Sequence, residues 1–87
     1  KEVKNLVMTE YPCVKEMHKI RSRGTKNNVF MDMHIQVDPK MTVEESHRLM
    51  HNIERTIQKN IEENAHVIIH IEPYFNNKNI TVGHGTV

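Results

Sequence analysis

The stretch VIIHIEP, residues 67–73, places a histidine and a carboxylate two positions apart in a segment that is otherwise apolar. Residues two apart on a strand point to the same face, so His70 and Glu72 are expected to lie side by side. The alternate positions point the other way and are apolar: Val67, Ile69 and Ile71. The pattern predicts a strand with one buried face and one face that is free to bind a ligand.

Histidine is abundant, with seven in 87 residues, and several lie where they could act together. Imidazole and carboxylate are preferred ligands of zinc and of other borderline divalent cations. A single surface histidine is usually just solvated, so the joint pattern carries the argument. Three histidines and one carboxylate that converge from strands would fill a tetrahedral shell. Besides His70 and Glu72, the candidates are His18, His34, His47, Asp32 and His51.

Other classes of function have less support. His47 and His51 have the spacing of a helical metal motif, but the glutamate of the HExxH hydrolase motif is missing. No pair of nucleophile and base stands out, so the sequence predicts that the chain is not an enzyme. Twelve basic and eleven acidic residues, with two Phe and two Tyr, argue against a nucleic-acid partner.

The helices and strands that position these residues are predicted from the spacing of apolar residues along the sequence. VFMDMHIQV alternates strictly, with His34 and Asp32 on its polar face. Thr42 and Glu45 form a capping box that opens a helix. The predicted elements are a helix over 1–11 ended by Pro12, a hairpin of strands 13–23 and 29–37, a helix from Thr42 whose apolar stripe is Val43, Met50, Ile53, Ile57 and Ile61, and a strand over 65–73.

The order α-β-β-α-β predicts a small α+β sandwich, a three-stranded sheet with two helices on one face. Residues 1–75 are predicted to form one domain, and residues 76–87, rich in Asn and Gly, are predicted to form a flexible tail. The lone Cys13 rules out an internal disulfide, fits a reducing compartment and is expected to be a small buried residue. Because the chain opens on Lys1, we expect a piece of a longer protein.

Four stretches in order carry a family resemblance: MHKIRSR, FMDMHIQVDP, TVEESHRLMHNIERTI and VIIHIEP. They resemble the cytoplasmic C-terminal domain of the cation diffusion facilitator transporters. The resemblance implies a ferredoxin-like, metallochaperone-like fold that pairs as a homodimer beneath a membrane domain. It places the chain at the cytoplasmic face of a membrane, in a protein that exports divalent cations.

The family's ligand positions carry over one by one, and they fall on His18, His34, His47, His70 and Glu72. The last is a departure, because the family has Asp there. Asp32 matches an acid of the iron-handling members, whereas His51 has no family counterpart and rests on its helical spacing. The resemblance implies zinc first, with iron, manganese or cobalt as alternatives.

The function that follows is regulatory: a domain that binds metal and dimerises to control transport by a membrane domain. The alternative is a free-standing ferredoxin-like module that binds a metal or a small ligand. Protons compete with metal for imidazole, so we expect metal affinity to fall steeply below about pH 6.

Overall fold

A computed structural model describes residues 2–75 of the chain. The tail predicted over 76–87 lies outside the described residues. The element order is α-β-β-α-β, as predicted. The elements are α1 (Glu2–Glu10), β1 (Glu16–Gly24), β2 (Val29–Val37), α2 (Val43–Asn60) and β3 (Ala65–Pro73).

The hairpin between β1 and β2 turns at Gly24 and the four residues that follow it. Thr25 and Asn28 exchange backbone hydrogen bonds of 2.8 and 3.3 Å across the turn. Gly24 has φ of 125°, and a Cβ there would come within 2.0 Å of the carbonyl oxygen of Asn28. Only glycine can therefore close this hairpin without strain.

Helix α2 begins at the predicted capping box. The Glu45 backbone N–H donates to Thr42 Oγ1 at 3.0 Å, and the Thr42 backbone N–H donates to Glu45 Oε1 at 2.9 Å. The predicted apolar stripe of α2 was wrong at two positions: Val43 is 84% exposed, and Leu49, which the prediction left out, is buried. Val43 is the first residue of the helix and lies about 80° around from Ile53, at 100° per residue, so it faces solvent.

The sheet has the order β1-β2-β3, with β2 in the centre. Strand β1 pairs antiparallel with β2, and β3 pairs parallel with it. Both helices cover one face, where the largest fully buried side chains lie: Val7, Met17, Met33, Ile35, Ile53 and Ile57. The predicted α+β sandwich with helices on one face is confirmed.

Two smaller points concern Cys13 and the helices. Cys13 is exposed, so the expectation of a buried cysteine was wrong; the adjacent Val14 fills the core position. Among residues 2–75, no helix is long and apolar enough to cross a membrane.

Candidate metal centre

Three histidines form a row across the open face of the sheet. His34 of the central strand is in register with His18 of β1 on one side and with His70 of β3 on the other. The ring centroids of His18 and His34 are 5.7 Å apart, and those of His34 and His70 are 4.6 Å apart. Strand pairing therefore brings together side chains that are far apart in the sequence.

Glu72 lies one position further along the sheet, opposite Gln36. Its carboxylate reaches back over the central strand to two of the three imidazoles. Glu72 Oε2 is 2.6 Å from His34 Nδ1, and Oε1 is 3.3 Å from His18 Nε2. The side-chain amide of Gln36 donates to Oε1 at 3.4 Å. The carboxylate thus joins all three strands of the sheet.

The same contacts set the charge of Glu72. The hydrogen bond from His34 lowers the pKa of the Glu72 carboxyl, and the Gln36 amide and the charges of His34 and His18 act in the same direction. Partial desolvation opposes them and is outweighed. Glu72 is therefore held as a carboxylate, the form that binds a cation.

A bulge in β1 brings His18 onto this face. His18 pairs with His34 and Arg21 pairs with Asp32, so three steps along β1 match two along β2. The extra residue changes the parity of the strand, and both His18 and Arg21 point to the open face. Lys19, inside the bulge, has φ of 53°, in the left-handed region where a side chain is disfavoured.

The bulge gives a testable prediction at Lys19. Lys19→Gly is expected to be about 1 kcal/mol more stable than Lys19→Ala, because glycine escapes the left-handed penalty while alanine keeps it. Urea unfolding with a chelator present measures the difference. The alanine variant is the matched control, since both changes remove the lysine side chain. Equal stabilities would contradict a left-handed Lys19.

The donor atoms fit a divalent cation. One ligand atom from each of His18, His34 and Glu72 lies within 4.8 Å of the other two. Zinc bonds of about 2.0–2.1 Å in a tetrahedron place neighbouring donors about 3.3 Å apart. The separation of 3.3 Å between His18 Nε2 and Glu72 Oε1 matches this value, whereas the 2.6 Å between His34 Nδ1 and the other carboxylate oxygen, Oε2, is a hydrogen bond that must open before both residues can bind one ion. Two imidazoles and a carboxylate suit zinc and similar borderline ions.

The remaining candidates lie elsewhere. His70 shares the open face but stands outside the three-residue group in its present rotamer. Asp32 lies two positions before His34 and pairs with Arg21 at 3.3 Å. His47 and His51 are on α2, exposed, with their Nε2 atoms 3.1 Å apart. Sequence reasoning missed Gln36, although its position two residues after His34 on the polar face was a usable signal.

The comparisons with known proteins agree with this architecture. The family model described as "Cation efflux protein, cytoplasmic domain" matches residues 1–74. Metal tolerance protein C1 of Arabidopsis thaliana is 37% identical over 62 residues, 71% of this chain and 13% of that protein. The manganese efflux system protein MneP of Bacillus subtilis is 27% identical over 62 residues, 71% of this chain and 21% of that protein. The chain thus spans only a small part of these relatives.

A solved structure supports both fold and kinship. The metal-bound C-terminal domain of the CzcD transporter from Thermotoga maritima superposes with a TM-score of 0.75 and 32% identity. The match covers 86% of this chain and 87% of that one. At 32% identity, the two domains are similar in sequence as well as in fold.

Proposed function

The chain belongs to the family of cytoplasmic domains of cation efflux proteins, and we propose that it senses divalent metal ions for a membrane transporter. The observation that carries the proposal is the convergence of His18, His34 and Glu72, from three different strands, on one region of the open sheet face. Side chains on that face do not support the core, so their meeting there has a ligand as its simplest physical reason.

Four side chains form the proposed coordination shell. His18, His34 and Glu72 supply three donors, and His70 turns from its stack on His34 to supply the fourth. His34 Nδ1 and Glu72 Oε2, which share a hydrogen bond of 2.6 Å, would each be free to bind an ion once that hydrogen is lost. Gln36 keeps its hydrogen bond to Glu72 and orients the carboxylate from outside the shell.

Zinc is the proposed ion because it favours tetrahedral sites with nitrogen and oxygen ligands. The same donors can also bind manganese, iron or cobalt, with affinity that rises in that order, so the choice among these ions depends on geometry and availability as well as on affinity. Manganese is named in the description of the MneP relative, so a harder ion is the second candidate.

Regulation follows from linkage. A ligand shifts an equilibrium between two states only by its difference in affinity for them. We propose that the chain acts as a homodimer, that metal on the sheet face favours pairing of two chains, and that it favours a closed pair over an open one. The open face also exposes Phe30 at 44% and Ile68 at 57%, apolar surface that a second copy can cover. The conformational change on closure would be transmitted to the transmembrane domain of the same protein.

The decisive experiment measures the light-scattering mass of the chain with and without added metal ions. Zinc is expected to shift the light-scattering mass of the dilute chain from 10.3 kDa towards twice that value. Magnesium serves as the hard-ion control and is expected to have no effect. A Glu72→Gln variant, which keeps the shape of the side chain and removes its charge, should not respond to zinc. An unchanged mass at saturating zinc would contradict metal-driven pairing.

Zinc affinity is expected to be at least tenfold lower at pH 5.5 than at pH 7.5. A free imidazole titrates near pH 6.5 in water, so protons compete with the ion over this interval. The lowered pKa of Glu72 keeps the carboxylate ionised at both pH values, so this ligand does not contribute to the loss. Isothermal titration calorimetry at the two pH values measures the change, and equal affinities would argue against imidazole ligands.

A further inference from the structure

We propose, on the basis of the function proposed above, that the β1–β2 hairpin binds the surface of an anionic lipid bilayer. The surface concerned, called here the hairpin end, consists of residues 19–30 and the neighbouring Ile68. It lies towards the hairpin turn from the sheet cluster of His18, His34 and Glu72, so the domain carries two separate binding surfaces.

The hairpin end concentrates positive charge. Residues 17–31 contain no acidic residue and four basic ones: Lys19, Arg21, Arg23 and Lys26. The rest of the chain carries the other eight basic residues and all eleven acidic ones. Asp32 partly neutralises Arg21 through an ion pair of 3.3 Å, whereas within residues 2–75 the other three cations form no ion pair. A local excess of positive charge therefore stands on a chain whose formal net charge is only +1.

The hairpin extends past the part of the sheet that the helices cover. Every residue from 21 to 28 is exposed. Ser22 pairs with the buried Met31 and so lies on the side of β1 that faces the helices, yet it is exposed as well. Both sides of the hairpin are therefore uncovered, and its cations can approach a flat surface without any change in the fold.

Apolar side chains accompany these cations on the open face of the sheet. Phe30 is 44% exposed and Ile68 is 57% exposed, and both line one groove with Arg21 and Arg23. This combination favours a bilayer, because the cations meet lipid phosphates while the apolar side chains enter the boundary of the acyl chains. In the closed pair proposed above a second copy covers Phe30 and Ile68, so the membrane contact belongs to the metal-free state.

An acidic protein segment fits the hairpin end less well than a bilayer does. Strand β1 is at the edge of the sheet, where an extended peptide could add as a further strand. The bulge at Lys19 interrupts the regular row of backbone groups along that edge. A bilayer requires no strand register, since its lipids move laterally to meet the cations.

Cosedimentation of the chain with lipid vesicles, with a chelator present, tests the proposal. Vesicles of phosphatidylglycerol mixed with phosphatidylcholine are expected to bind the chain at least about tenfold more tightly than phosphatidylcholine alone. The double variant Arg23→Gln with Lys26→Gln should bind the mixed vesicles about 25-fold more weakly, because each cation near an anionic surface contributes about fivefold. High salt should weaken binding of the wild-type chain, since it screens the attraction.

A matched control removes the same charge from the other end of the sheet. Lys15 directly precedes β1 and Lys40 follows β2, and both are exposed. At about 3.3 Å per residue, Lys15 lies roughly 25 Å along the strand from Arg23, more than two Debye lengths at physiological salt. Lys15→Gln with Lys40→Gln should therefore leave vesicle affinity within about threefold. Circular dichroism checks that each variant is folded.

Phe30→Ala distinguishes a bilayer from a soluble polyanion. The change should weaken vesicle binding about threefold or more, through loss of apolar burial. It should leave binding to soluble poly-glutamate unchanged, because that polymer offers no apolar region. Tighter binding to poly-glutamate than to mixed vesicles, with no effect of Phe30→Ala on either, would identify an acidic protein segment as the partner and overturn the proposal.

Two further results would overturn membrane binding by the hairpin end. One is equal affinity for neutral and anionic vesicles, and the other is an equal loss of affinity in the hairpin variant and its matched control. The chelator removes metal from the vesicle assay, and zinc affinity is measured without lipid. Failure of the hairpin surface is therefore distinguishable from failure of the sheet cluster.

Discussion

Replacing His34 with glutamine is expected to lower zinc affinity by about 100-fold or more, since even residues that only hydrogen-bond to a metal ligand commonly contribute 10- to 100-fold. His34 is the central member of the histidine row, stacked between His18 and His70. It also makes the shortest contact to Glu72, at 2.6 Å. Glutamine can still form a hydrogen bond to Glu72, so the change removes the imidazole ligand and largely spares the sheet. Competition titration against a zinc chelator at pH 7.5 measures the loss.

His66→Gln is the matched control for this prediction. His66 lies on the same open face, in register with Phe30 and stacked on it with centroids 4.8 Å apart, away from the cluster. Its replacement should leave zinc affinity within about twofold, as for independent sites. If His34→Gln bound zinc as tightly as His66→Gln, the sheet cluster would not be the principal metal site.

The charge and reach of Glu72 can be separated in the same assay. The carboxylate extends from β3 across the central strand to His18 of β1, at 3.3 Å. Aspartate is one methylene shorter, so Glu72→Asp should retain the contact with His34 and weaken that with His18. An affinity between those of the wild-type chain and Glu72→Gln is expected. This comparison bears directly on the family position at which this sequence has Glu instead of Asp.

Local rules were sufficient to predict the elements. Strict alternation in residues 29–37 indicated which side of β2 is buried, and Pro12 set the end of α1, because proline lacks the N–H that the helix needs. The capping box fixed the start of α2 in the same way. Each of these signals acts over a few residues, which is why the sequence alone displays them.

The candidate site could not be predicted from the alternation of polar and apolar residues alone, because it also depends on how the strands pair. Alternation placed His34 on the open face of β2, yet only strand register places His18 and His70 on either side of it. In β1 the signal was weak for a physical reason: the bulge at Lys19 changes the parity between His18 and Arg21. The family resemblance was what grouped the histidines of the three strands into one predicted site. It also grouped His47 with them, and the metal role of His47 stays a prediction.

The second large effect is expected in the core. Ile53→Ala should lower the free energy of unfolding by about 3 kcal/mol, through lost burial and the cavity left behind. Ile53 is 0% exposed at the centre of the buried side of α2. Val43→Ala is the control on the same helix, since Val43 is 84% exposed and its change should cost under about 0.5 kcal/mol. Urea unfolding in the presence of a chelator compares them, and equal losses would contradict the observed buried side of α2.

Zinc should offset most of the loss in the free energy of unfolding caused by Ile53→Ala, because the proposed ion binds the folded chain on the other face of the sheet. Free zinc at 100 times its dissociation constant stabilises a folded protein by about 2.7 kcal/mol, provided that the unfolded chain binds little. The urea midpoint of Ile53→Ala is therefore expected to return close to that of the metal-free wild-type chain. Adding His34→Gln removes the ligand at the centre of the cluster, so zinc should then restore much less stability. Equal rescue with and without His34 would mean that zinc stabilises the fold through other residues.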